Sequence, residues 1–199
     1  MKKTLLLLAG YPGTGKTYLC NKILDRNNHF VVLSPDTIKE MIWDKYGFNT
    51  IEEKEMLIKK SWDIYFQYLE SDMSENKNII SDYPFSEKQK DFLKSYTEKY
   101  NYHVITIRLV AQIDILFERQ KLRDIDNNRH IGHILNRYHK NQVLENRSQA
   151  EGLLTYEEFY NRCKYRGYDK FELGDLIEID VTDFHSINYD SILDKIFSE

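Results

Sequence analysis

The run Gly10-Tyr11-Pro12-Gly13-Thr14-Gly15-Lys16-Thr17 places glycines, a lysine and a hydroxyl residue at the spacing G-x-x-x-x-G-K-[ST], which is suited to holding a chain of phosphates. The glycines let the backbone curl so that successive N–H groups point inward with no side chain in the way. Lys16 is expected to reach the β- and γ-phosphates, and the Thr17 hydroxyl to join a Mg²⁺ shell. Tyr18 opens the helix that follows and is counted with the eight loop residues as a nucleotide contact. An ordinary Gly-rich turn needs no such context, whereas here apolar residues 5–9 precede the loop and Tyr18, Leu19, Ile23 and Leu24 follow at helical spacing.

Two carboxylates stand where apolar runs end. Asp36, in Ser34-Pro35-Asp36, is placed to accept a proton from an attacking hydroxyl. It also reads as a first-turn residue behind a Ser34 N-cap and a Pro35 at the first helical position. Asp82, closing Ile79-Ile80-Ser81-Asp82, can hold a Mg²⁺-bound water, or shape the turn before Pro84. Ser86-Glu87-Lys88-Gln89 has the form of a capping box, so the next helix starts without Asp82.

Arg119 and Arg123 are four apart on one helical face, and Arg129 follows. Residues 119–147 hold seven Lys or Arg against three Asp or Glu, a local excess in a chain of net charge -4. Such arginines can close over a nucleotide as a lid and offset charge on a transferring phosphoryl group, with Arg119 and Arg123 as catalytic groups. A solvated helix face is the plain alternative. His130, His133 and His139 lack a further ligand type nearby and support no metal site beyond Thr17 and Asp82.

The elements that must position these groups are short β-type runs at Thr4–Ala9, Phe30–Leu33, Asn78–Ser81, His103–Leu109 and Leu176–Asp180. Helical patterns separate them: Ile58, Trp62, Tyr65 and Leu69 share one face, and Ile113, Leu116, Phe117 and Gln120 another. Alternation of this kind implies an α/β fold with a parallel sheet and helices on both sides. Asp124 to Asn128 is the best candidate for a mobile connection.

The length of 199 residues fits one domain, 1–199, with a lid at approximately 119–147. Met1-Lys2-Lys3 before Thr4–Ala9 imitates a secretory signal, but the apolar run breaks at Gly10, and a buried parallel strand is the better reading. No stretch approaches a membrane span, and Cys20 and Cys163 have no metal spacing, so a cytoplasmic protein with free thiols is expected. The acidic balance, pI near 5.9, speaks against a surface built to hold long nucleic acid.

Taken together, residues 4–183 resemble the small P-loop kinases with an AAA-like ATP-binding domain, which include polynucleotide kinases, gluconate-type kinases, zeta toxins and chloramphenicol phosphotransferase. The resemblance rests on the phosphate loop, Ser34-Pro35-Asp36 with Lys39, Ile79-Ile80-Ser81-Asp82, the arginines with Gly132-His133, and Ile177 to Thr182. It implies a P-loop NTPase three-layer fold, with a five-stranded parallel sheet of nucleoside-kinase type and an Arg-bearing lid. Asp36 would be the base or hydroxyl ligand, and the strand end at Asp180 and Thr182 would lie near the adenine. Where phage-type polynucleotide kinases carry an arginine after the catalytic Asp, this chain has Lys39, and Asp82-Tyr83-Pro84 replaces the polar residues after the third strand.

The expected activity is transfer of the ATP γ-phosphate, with Mg²⁺, to a hydroxyl of a small metabolite or antibiotic rather than to nucleic acid. Asp36, Lys39, Tyr83 and Arg129 are the expected acceptor contacts, with the helix from Ile51 to Leu69 alongside. A polynucleotide 5'-hydroxyl kinase is the runner-up, a toxin-like sugar-nucleotide kinase a third reading, and a non-catalytic ATP-dependent regulatory protein the alternative of another class.

Overall fold

The computed structural model describes residues 3–197, so Met1 and Lys2 of the signal-like start lie outside it. Five strands form one sheet: β1 (Thr4–Gly10), β2 (Phe30–Val32), β3 (Asn78–Asp82), β4 (His103–Val110) and β5 (Asp175–Asp180). Their order is β2-β3-β1-β4-β5 and every pairing is parallel. The five expected runs are the five observed strands, within a residue or so at each end.

Strand β1 is central, between β3 and β4, which explains its unbroken leucines: a parallel strand covered on both faces has no solvent side to mark with polar residues. Its side chains alternate between two cores. Leu5, Leu7 and Ala9 pack with Tyr65, Leu69, Met73 and Leu93 from α3 (Ile51–Ser74) and α4 (Glu87–Tyr100). Leu6 and Leu8 pack with Leu19, Cys20, Ile23, Leu193 and Ile196 from α1 (Lys16–Arg26) and α7 (Tyr189–Phe197). The result is the expected three-layer α/β arrangement.

Helix α2 (Pro35–Tyr46) leaves β2 through Ser34, and α3 runs to Ser74, past the expected Leu69. The Ser86 and Gln89 capping box forms in both halves. Helix α5 (Ile113–Ile125) carries the arginines, and α6 (Tyr156–Arg166) starts in a second box between Thr155 and Glu158.

Part of the segment expected as a lid packs on the end of α2 and the residues after it. Ile131, Ile134, Leu135 and Tyr138 form a buried cluster with Trp43 and Phe48, and Phe48 pairs backbone to backbone with Tyr138. Asp124, expected to begin a mobile connection, is instead a buried residue in the last turn of α5, where its Oδ1 accepts from Gln120 Nε2 at 2.7 Å. Among the described residues no helix is long and apolar enough to cross a membrane, and Cys20 and Cys163 are buried free thiols.

Candidate active site

Strand β1 delivers the phosphate loop at the C-terminal edge of the sheet, the side on which open α/β sheets bind ligands. Gly10 has φ +110°, and a Cβ there would stand 2.0 Å from the Leu109 carbonyl oxygen on β4. Gly13, at φ +84°, lies under α5, where a Cβ would come within 2.9 Å of the Leu116 carbonyl oxygen. Gly10→Ala must break the β1–β4 register or strain the turn. It is expected to lower stability by about 3 kcal/mol or more, seen as a fall in the urea midpoint.

Lys16 folds back across the loop. Its Nζ donates to the carbonyls of Gly10 at 3.1 Å and Tyr11 at 2.7 Å, and to Thr14 Oγ1 at 3.3 Å. Burial first, and then the neighbouring Arg123, pull its pKa down to about 7 against the attraction of Asp82 and Asp36. An ammonium under that stress gains most from an incoming polyphosphate.

The Thr17 hydroxyl donates to Asp82 Oδ2 at 3.0 Å, so the first turn of α1 and the end of β3 meet as expected. Asp82 Oδ1 is buried without a hydrogen-bond partner. Burial raises the carboxyl's pKa, with the Ser34 and Thr17 hydroxyls and Lys16 opposing. A hydroxyl beside a carboxylate with one oxygen left over fits a hydrated Mg²⁺, which takes one or two protein oxygens and keeps several waters. Ser34 is the N-cap residue of α2, but its side chain makes no cap bond. The capping explanation therefore holds for Pro35 at the helix start and Asp36 in the first turn, but not for the Ser34 side chain.

Asp36 is tied to Lys39, whose Nζ donates to Oδ1 at 2.7 Å and also lies 5.2 Å from the Tyr83 ring centre and 5.8 Å from that of Trp43. Burial pushes the Asp36 carboxyl up, but Lys39, His133 and Arg129 outweigh it and hold the group well below the usual carboxylate range. Lys39 in turn stays protonated, its pKa raised by Asp36 in spite of burial. Tyr83 in turn makes an edge-on contact with Trp62 at 5.0 Å.

Arg119 parts from the other two arginines, of which Arg123 acts on Arg129. Arg119 turns to the end of β5: its Nη1 donates to Val181 O at 2.8 Å, its Nη2 to Thr182 O at 2.9 Å, and the guanidinium lies 3.7 Å from the Phe184 ring centre. Asp180 accepts there from Thr182 N at 2.7 Å. Arg123 stays close enough to Lys16 to depress it. Arg129 sits on the Asp36 side, with Nη1 3.9 Å from Glu40 Oε1 and Nε 3.9 Å from Asp124 Oδ1.

Glu40, which sequence reasoning missed, and His133, whose partner it did not foresee, complete this corner. His133 Nε2 lies 2.7 Å from Glu40 Oε1, and burial brings the imidazole to about 4, so it is neutral at pH 7 and donates to Glu40. Glu40 stands one helical turn after Asp36, and that i,i+4 spacing was the available signal. His130 pairs with Asp44 at 3.1 Å and His139 with Asn49 at 3.0 Å, so the three histidines serve separate partners. Tyr11 packs edge-on to Tyr168 at 6.1 Å, and Tyr18 lies exposed against Tyr189. A cleft of about 710 Å³ between Leu24, Phe30 and Phe197 opens at the opposite end of the sheet, away from all of these groups.

A family model described as AAA domain matches residues 5–140. No curated protein matches the chain. Among solved structures, a candidate kinase from Chloroflexus aurantiacus is similar over 100% of this chain and 96% of its own, with a TM-score of 0.75 and 19% identity. A tunicamycin resistance protein from Deinococcus radiodurans aligns with 98% of this chain and 94% of its own, at TM-score 0.57 and 12% identity. A sugar kinase from Janibacter sp. HTCC2649 aligns with 100% and 94%, at 0.54 and 11%.

Proposed function

The chain belongs to the AAA-domain family, and on that premise we propose that it is a P-loop kinase that transfers the γ-phosphate of ATP to a hydroxyl of a small metabolite or antibiotic in the cytoplasm. The observation that carries the reading is Asp36, a carboxylate paired with Lys39, held well below the usual carboxylate range, and near enough to the phosphate-loop Lys16 to act on it. A protein that only bound and sensed ATP has no need of such a carboxylate opposite the phosphate. The structural neighbours named as a sugar kinase and a tunicamycin resistance protein agree with a small acceptor.

In this reading the acceptor hydroxyl donates to Asp36, which aims its oxygen at the γ-phosphorus. The new P–O bond forms as the bond to the β,γ-bridging oxygen breaks, the hydroxyl proton passes to Asp36, and ADP leaves. Transfer through a loose transition state moves that proton late, so a weakly basic carboxylate suffices to orient the nucleophile. Lys16 and Arg123 face the charge on the phosphoryl oxygens. Thr17 and Asp82 would hold Mg²⁺, which when bound would supply neutralisation of phosphate charge. Arg119 belongs with Asp180 and Thr182 at the adenine end. Arg119→Ala is expected to raise KM for ATP about tenfold, the loss of one or two charged hydrogen bonds, with kcat nearly unchanged. A fall in kcat at saturating ATP would instead return Arg119 to the phosphoryl group.

The test is incubation with γ-labelled ATP, Mg²⁺, a 5'-hydroxyl oligonucleotide and a small-molecule cell extract, followed by separation of the products by size. Label on a small product, absent with Lys16→Ala, supports the proposal; label on the oligonucleotide replaces it with polynucleotide phosphorylation, and label on neither refutes phosphoryl transfer to both classes.

A further inference from the structure

Arg129 is anomalous as a structural residue. Its side chain is only 12% exposed, and its Nε is buried without a hydrogen-bond partner. The guanidinium offers five N–H donors in a fixed fork, yet among the described residues none of them is hydrogen-bonded. The two carboxylates beside it, Glu40 and Asp124, stand 3.9 Å from its nearest nitrogens, beyond hydrogen-bond range. Glu40 instead bonds His133, and Asp124 accepts from Gln120. Nearby carboxylates supply the charge balance, while the directional bonds of the fork are left unmade. Leaving the buried Nε of a cation unpaired is costly, and planar forks of this kind match oxyanions in two-point contacts.

Arg123 acts both on Lys16 at the phosphate loop and on Arg129, and Arg129 in turn acts on Asp36, Lys39, Glu40 and His133, the groups on the side where the acceptor would enter. The anchored segment Ile131 to Tyr138, packed on Trp43 and Phe48, keeps Arg129 on that side.

We propose that the acceptor is an anionic alcohol, carrying a carboxylate or phosphate group beside the hydroxyl it offers to Asp36, and that Arg129 receives that group. This rests on the kinase reading and narrows its substrate class. Asp36 takes the hydroxyl, the fork of Arg129 takes the oxyanion, and Lys39 remains with Asp36. Glu40 and Asp124 keep the empty fork in place without occupying it, so an entering oxyanion displaces no protein hydrogen bond.

Titration calorimetry tests it on protein loaded with Mg²⁺ and a non-hydrolysable ATP analogue, which fills the phosphate loop, using D-glycerate, glycerol 3-phosphate and glycerol as probes. One or both anions should bind about 10- to 100-fold more tightly than glycerol, the range of a charged hydrogen-bonded contact, and which anion wins identifies the group. Arg129→Ala should abolish the preference and Arg129→Lys should keep part of it, with thermal unfolding confirming that both variants fold. Equal affinity for all three probes, no binding of either anion, or a preference that survives Arg129→Ala would overturn the assignment. If the analogue itself does not bind, the kinase reading fails; if it binds and no anion preference follows, only the acceptor class fails.

Discussion

Replacing Asp36 with Asn should cut phosphoryl transfer by about 10² to 10⁴, the range for loss of a positioned proton acceptor, while leaving ATP affinity nearly intact. The side chains are isosteric, so packing in the first turn of α2 is preserved. What changes is charge and hydrogen-bond polarity. The amide cannot take the hydroxyl proton, and Lys39 Nζ, now 2.7 Å from a carboxylate oxygen, loses its counter-ion. The half-buried position makes that loss matter, because a partner left charged and unpaired carries most of the penalty of breaking such a pair. The measurement is single-turnover transfer from labelled ATP at saturating nucleotide. An unchanged rate would remove Asp36 from the chemistry and leave it as a helix-dipole residue. The low pKa also implies that transfer does not weaken between pH 8 and 5 through this group, since Asp36 stays ionised over that window.

Much of this geometry was legible in the residues themselves. The phosphate loop is readable because its constraints are local: each glycine answers to backbone curvature, and Lys16 and Thr17 are fixed by their place on the opening turn of α1. The strands were equally legible, since a parallel sheet buried on both faces demands unbroken apolar runs. The groups around Asp36 were harder to read. Glu40 and His133 are 93 positions apart, and neither has a local pattern that announces the other. Arg119 and Arg123 share a helical face in the sequence, yet one reaches the end of β5 and the other Lys16. A long side chain one turn along a helix reaches a different ligand group, which spacing alone does not resolve. The anchoring of residues 131–138 was hidden for a similar reason: its apolar positions are irregular because they fill a gap between Trp43 and Phe48 rather than cover a helix face. Helix α6 starts in the box of Thr155 and Glu158, a signal that is local and readable in the sequence.

The other large effect is expected at Lys16, whose role differs from that of Asp36 in affecting both binding and rate. Lys16→Ala should weaken ATP binding about 10- to 100-fold, as for a charged hydrogen bond, and lower transfer by a further ~10² to 10³, as for loss of one donor to transition-state charge. The free protein offers an independent check through pH. Lys16 is pulled down to about 7 in the fold, whereas an unfolded lysine titrates near ~10.4. Between those values the unfolded chain holds a proton that the folded chain has released, so stability rises with pH through that interval, and Lys16→Ala should flatten the rise. Bound polyphosphate restores the proton by offering the ammonium an anionic partner. At pH 8 the wild-type protein should therefore take up a proton as ATP binds, seen as a binding enthalpy that varies with the ionisation enthalpy of the buffer. Lys16→Ala should bind what ATP it can without that uptake. An uptake that persists in the variant would assign the proton to another group, and an unchanged affinity and rate would refute the phosphate-loop role of Lys16 altogether.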